Sequence, residues 1–141
     1  MGFYATYKAI FDRVKADLEA KTNIKAVSLG EQFRLTSLPL AIINPEETVI
    51  EQETMGAALL CKVNFSVVLV IRETEPADWF AEIVTVLADA FDAIVADRTL
   101  NGAVKDTTPT LFSPGEIKMQ QSKLYYGGVV RFVCSLEYTP T

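Results

Sequence analysis

Residues Leu59–Ile71 read LLCKVNFSVVLVI, and this stretch decides the fold. Its odd positions, Leu59, Cys61, Val63, Phe65, Val67, Leu69 and Ile71, are all apolar, whereas the even ones begin Leu60, Lys62, Asn64 and Ser66. A period of two suits an extended chain, in which successive side chains point to opposite faces. At a rise of about 3.3 Å per residue the stretch covers on the order of 40 Å, about twice an ordinary strand. Such a strand is expected to outrun the core of its own domain.

Toward the N-terminus, two shorter strands are expected, Ile24 to Leu29 and Leu38 to Ile43, with Gly30 as punctuation after the first. Pro39 opens the second, where a missing amide does least harm. Asn44-Pro45 is expected to turn the chain. The segment EETVIEQETMGAA, residues 46–58, then reads as an exposed acidic arm or hairpin with Gly56 near its return and Val49 and Ile50 as its only large aliphatics. Ahead of all these, residues 3–20 place Phe3, Tyr7, Ile10, Phe11, Val14 and Leu18 at helical spacing. With Tyr4 they fill an arc of roughly 120°, the width of a helix resting on one surface.

Toward the C-terminus, RETEPADWF offers Thr74 or Glu75 as a helix start with Pro76 in the first turn, where its lost donor costs little. The second helix runs to about Ala96. Asp78, Glu82, Thr85, Asp89, Asp92 and Ala96 fall on one stripe of it, and Trp79, Phe80, Ile83, Val84, Val86, Leu87, Phe91, Ile94, Val95 and alanines fill an apolar arc of roughly 220°. A helix lying on one sheet of a solitary molecule does not need that breadth. Trp79, Val84, Val86 and Val95 are therefore candidates for burial against another subunit. The stretch ADRTLNGAV, residues 96–104, ends the helix, with Asn101-Gly102 taking positive backbone angles and Leu100 folding back on the core. Arg98 is well placed against the helix dipole, and Asp97 with Arg98 is also a candidate ion pair to a neighbouring subunit; the two readings are compatible. Ala103 to Thr110 is expected to be extended, and FSPGE, residues 112–116, to turn. Val130, Phe132, Cys134, Leu136 and Tyr138 alternate with Arg131, Ser135 and Glu137 in a closing strand expected to be central. The whole predicts an α+β fold: one domain, with a mostly antiparallel or mixed sheet covered by two helices and an extended β-arm.

Composition narrows the chemistry. The 141 residues carry a net charge of −5 and a pI near 4.7, and no run of Lys or Arg interleaves with aromatics, which argues against a surface that grips nucleic-acid phosphates. Lys62, Asn64 and Ser66 interrupt one apolar run, and Asp89 and Asp92 the other, so neither spans a bilayer. Met1 leads straight into an amphipathic pattern, so no export signal is expected and the default compartment is a cytoplasm. Without histidine the chain lacks the commonest general base and metal ligand, and with it the Ser-His and Cys-His arrangements. Cys61 and Cys134 are too few for a structural zinc site; buried thiols are the preferred reading over a disulfide between them. Gly127-Gly128 does not open a helix as a phosphate loop does. No catalytic, cofactor-binding or metal-binding residue is assigned, and no cofactor is expected. The residual catalytic idea is Glu82, Asp89 and Asp92, which share a helix face and could hold Mg²⁺ or exchange protons. The same acids keep that helix soluble, and a solvated stripe is the preferred reading. Tyr125 and Tyr126 could stack a base or sugar, or mark a strand bend packed on the core.

The order helix, strand, strand, acidic arm, long strand, long helix, DRTLNGAV turn (97–104), strand and YYGGVVRFVCSLEY final strand (125–138) resembles the tail terminator, or tail completion, proteins of long-tailed bacteriophages. The resemblance covers nearly the whole chain. DRTLNGAV looks like the Leu-Gly turn that follows the second helix in such proteins, and the ending LEYTPT (136–141) is similar to their aromatic finish. The resemblance implies a structural virion protein, not an enzyme, that assembles as a homo-oligomeric ring, commonly of six, at the tail–neck junction. It implies three partners: further copies of the chain, the tail tube protein, and the head connector or neck protein. DNA would pass through the lumen without sequence-specific binding. Glu46, Glu47, Glu51 and Glu53 are then candidates to face the lumen or tube, since like charges keep DNA from sticking. The broad second helix would meet the next subunit in a cyclic heterologous interface. Another tail-end or head-tail joining subunit is the nearest alternative. A strand-adding adaptor and a small carboxylate-dependent enzyme using Asp89 and Asp92 are rivals from other classes.

Overall fold

Hydrogen bonding turns the alternating stretch into the middle strand of a five-stranded sheet. The computed structural model describes residues 2–30, 38–52, 56–71, 78–120 and 123–140. The elements run α1 (Phe3–Glu19), β1 (Ala26–Leu29), β2 (Leu40–Gln52), β3 (Leu59–Ile71), α2 (Trp79–Val95), β4 (Asp106–Gln120) and β5 (Lys123–Tyr138). Across the sheet the strands lie in the order β1, β2, β3, β5, β4. β1 pairs parallel with β2 and every other pairing is antiparallel. The protein is α+β with a mixed sheet and two helices, as the patterns predict.

The alternation of β3 sends Cys61, Val63, Phe65, Val67, Leu69 and Ile71 into the main core. α1 adds Ile10, Phe11, Val14 and Leu18 from its one dry side, and α2 adds Ile83, Leu87, Ala90 and Ile94. Past Ser66 the even positions of β3 also turn apolar. The reason lies on the opposite sheet face, where Val68 and Val70 join their cross-strand partners Ile42 and Leu40 in a second, smaller cluster. A strand buried on both faces has no solvent side to demand polar residues.

Three expectations change on folding. β3 does not outrun the core: it pairs with β5 over its whole length and with β2 from Leu59 to Val70. What lies outside is the distal half of β2, exposed at residues 45–47 and 49–52. Asn44-Pro45 does not turn the chain, because Asn44 pairs with Ser66 and Pro45 with Phe65, and the register shifts only between Pro45 and Thr48. β1 pairs with β2 no further than Ile43, so a proline without an amide falls where the strand has become an edge. FSPGE likewise continues as strand: Phe112, Ser113 and Pro114 pair with Val130, Val129 and Gly128, and the ladder skips one residue at Gly115, whose φ is +98°. Punctuation residues that would break an inner strand are absorbed as bulges at an edge. β2 and β3 pair antiparallel up to Gln52 opposite Leu59, and the connection between them holds Gly56; its residues 53–55 lie outside the described ones.

The turn after α2 also follows the sequence, with one addition. Asn101 and Gly102 take φ of +57° and +89°, and Leu100 precedes them at +47° while its side chain is buried. β4 begins at Asp106, because 96–105 are still turning.

Candidate functional site

From Ile83 onward the over-wide apolar arc of α2 is largely covered by the chain itself, while Phe80 near its start is 56% exposed. Val86, a candidate interface residue, is 3% exposed and belongs to the core; it is not available to a second subunit. Val84 and Val95 are half-buried and pack against the same core, as does Phe91, whose ring meets Phe112 edge-on at 5.9 Å and Phe132 at 6.4 Å. The physical reason is geometric. α2 rests on β3, β5 and β4 and has α1 along its side, so the sheet and a neighbouring helix together take up an arc that one flat surface would leave open. The side chain of Trp79, and the helix start at Thr74 to Pro76, lie outside the described residues.

Asp97 and Arg98 find their partners within the chain. Arg13 Nε donates to Asp97 Oδ2 at 2.7 Å. Arg98 donates through Nε and Nη2 to the two oxygens of Asp106 at 2.8 and 2.9 Å. The proposed ion pair to a neighbour is thereby replaced by two internal ones, which tie the turn to α1 and to the start of β4. Sequence spacing could not disclose this, since Arg13 and Asp97 are 84 residues apart.

The acids of α2 do not converge. Asp89 accepts a hydrogen bond from Asn23 at 2.7 Å and Asp92 is exposed. Asp78, Glu82 and Thr85 border an open groove of about 540 Å³ together with Asn23 and Lys25. Among the described residues, no group of three or more His, Cys, Asp or Glu side chains is placed to hold a metal ion. Tyr126 is buried in the main core, which favours packing over stacking on a ligand; the Tyr125 side chain lies outside the described residues.

Cys61 and Cys134 are free and buried. Burial pushes both thiols up, Cys134 to about 11 despite an opposing contact with the Thr107 hydroxyl at 3.4 Å. A thiol-specific aromatic disulfide reagent at neutral pH is expected to leave both unmodified in the folded protein and to titrate both after unfolding. Rapid labelling of the native chain would contradict the burial.

The exposed half of β2 carries Glu46, Glu47 and Glu51 as well as Val49 and Ile50; Glu53 lies outside the described residues. Glu46 Oε2 is 3.6 Å from Arg131 Nε, and the Asn64 side-chain amide donates to the Glu47 carbonyl at 3.0 Å. The arm is thus acidic but braced at its base by a cation from β5. Beside it lies a feature the sequence did not announce. Tyr4, Tyr7, Phe11, Leu29 and Pro45 line a cleft of about 250 Å³ between α1 and the sheet edge, with Tyr4 75% and Leu29 54% exposed. The available signal was Tyr4 at the flank of the α1 arc. Comparison with protein-family models and with curated proteins found no match.

Proposed function

We propose that this chain is a structural subunit that assembles as a ring, caps the end of a phage-type tail tube and meets the head connector. The observation that carries the reading is the edge of the sheet at β2. Past Ile43 this strand continues without β1, with Val49 and Ile50 exposed and the Tyr4–Leu29–Pro45 cleft alongside. Val49 and Ile50 stand on opposite faces of this strand, and exposed aliphatics with acidic neighbours suit a partner that clasps the edge, shielding the aliphatics while the carboxylates stay wet. In a closed ring that partner is the next copy, engaged head to tail. Glu46, Glu47 and Glu51 then face the lumen or the tube, and their charge keeps passing DNA mobile. The α+β architecture with two helices on the sheet agrees with the fold that the family resemblance implies.

Light scattering of the purified chain, alone and with tail tubes, tests the proposal, with negative-stain images to tell a ring from a polymer. The expected result is a closed multimer, or a cap that stops tube growth. Val49→Glu with Ile50→Glu should abolish it while leaving thermal unfolding of the monomer unchanged, because both side chains already face solvent. A wild-type chain that stays monomeric and leaves tubes uncapped refutes the reading.

A further inference from the structure

α1 and the turn after α2 meet through three charged side chains, two acids and one base. Arg13 Nε donates to Asp97 Oδ2 at 2.7 Å and lies 3.3 Å from Asp17 Oδ1. The Asp17 side chain is 11% exposed, and its Oδ2 is buried and receives no hydrogen bond from any donor. The other Asp97 oxygen, Oδ1, accepts from the Asn101 amide at 3.1 Å, inside the left-handed stretch that returns the chain to β4. Of the other charged groups on the same two elements, Arg98 pairs with Asp106 and Asp89 accepts a hydrogen bond from Asn23. One guanidinium cannot neutralise two carboxylates, and an ionised Asp17 leaves a buried oxygen without a donor.

We propose that Arg13, Asp17 and Asp97 form a proton-operated clasp: with one proton held between the two carboxyls α1 is locked onto the turn after α2, and loss of that proton loosens the joint. Protonation gives Asp17 an O–H to donate and removes the surplus negative charge, leaving Asp97 and Arg13 as a balanced pair. On release the proton passes to solvent.

The electrostatics run the same way. Burial, then the hydrogen bond to Asp97 and its charge, pushes the Asp17 carboxyl up to about 7, against the pull of Arg13. For Asp97, burial acts upward, but the hydrogen bonds from Asp17, Arg13 and the Asn101 amide outweigh it and bring the group below its ordinary value. Because the folded value of Asp17 is raised, its stabilisation is complete below about pH 4, the unfolded value. It diminishes as pH climbs toward 7 and is gone above that. Asp97, being lowered, stabilises above its unfolded value and loses that contribution as pH falls. The two contributions together are therefore greatest near about pH 4, and the clasp weakens steadily as pH rises toward about 7.

A carboxyl-carbon NMR titration of the intact wild-type chain tests this directly. The expected Asp17 midpoint is near 7; a midpoint near 4, the ordinary aspartate value, overturns the proposal. Amide exchange in 97–102, corrected for the intrinsic pH effect, is expected to speed up at least several-fold from about pH 5.5 to about pH 8.5. Asp17→Asn, which keeps a donor at every pH, should abolish that change. An acceleration that persists in Asp17→Asn also overturns the clasp. If that variant fails to fold, the wild-type titration alone decides.

Discussion

Phe65→Ala is expected to lower the unfolding free energy by about 3–5 kcal/mol, the range for truncating a fully buried aromatic. That is a large part of the roughly 5–15 kcal/mol that holds a domain together. Phe65 sits mid-sheet on β3 with no exposure. Its ring stacks on Phe132 of β5 at 5.3 Å and meets Phe11 of α1 in a T-shaped contact at 5.7 Å. The hole left by alanine cannot close easily, because Phe132 is held in register opposite it and Phe11 is carried on a helix that α2 braces. Phe65→Leu keeps much of the volume and should cost less than half as much. Urea unfolding measures both. A loss for Phe65→Ala under about 1 kcal/mol would mean that this aromatic stack does not form the centre of the core. Phe65→Ala combined with Phe132→Ala should cost less than the sum of the two, since they share one contact.

The second large effect is expected at a residue with no side chain. Gly128→Ala should destabilise by about 1–3 kcal/mol, and Gly128→Val by more, through overpacking. A β-carbon there would stand 3.0 Å from Leu87 Cδ2, 3.0 Å from the Ser113 carbonyl oxygen and 3.1 Å from Pro114 Cα. Two of these neighbours are β4 backbone beside its second bulge and cannot rotate aside, and Leu87 is itself fully buried. The glycine lets α2 come down onto β5 at this point. Thermal unfolding of Gly128→Ala checks the argument, and a melting temperature equal to or above that of the wild type would show that α2 has room to move.

How far the fold could be read in advance differs from element to element, for identifiable reasons. α1 was legible because it meets its surroundings on one side only, so Ile10, Phe11, Val14 and Leu18 carry a clean helical period. β3 was legible as a strand from the polar even positions Lys62, Asn64 and Ser66. Its extent relative to the core is not legible, since strand length says nothing about how far the neighbouring strands accompany it. Asn44-Pro45 and the FSPGE segment carry the sequence marks of turns, because proline and glycine interrupt local hydrogen bonding. Whether an interruption turns the chain or merely bulges it depends on whether the strand has an open edge there, which is a property of the assembled sheet. Of the candidate site, the acidic arm with Val49 and Ile50 could be picked out as exposed, whereas the cleft of Tyr4, Leu29 and Pro45 joins three distant segments and left no mark beyond one tyrosine at the edge of a helical arc.

By itself the sequence determined the class of the fold, the identity of the long strand, the side of α1 that is dry and the left-handed turn at Asn101-Gly102. All of these rest on periodicity or on the backbone freedom of single residues, which act over a few neighbours. Only the tertiary structure decided that the broad face of α2 is largely taken up by the sheet and α1, that Asp97 answers Arg13, and that Asp17 is left with a buried oxygen and no donor. Burial and charge pairing depend on which surfaces arrive from elsewhere in the chain, and a helical wheel records what a residue could cover without recording what covers it.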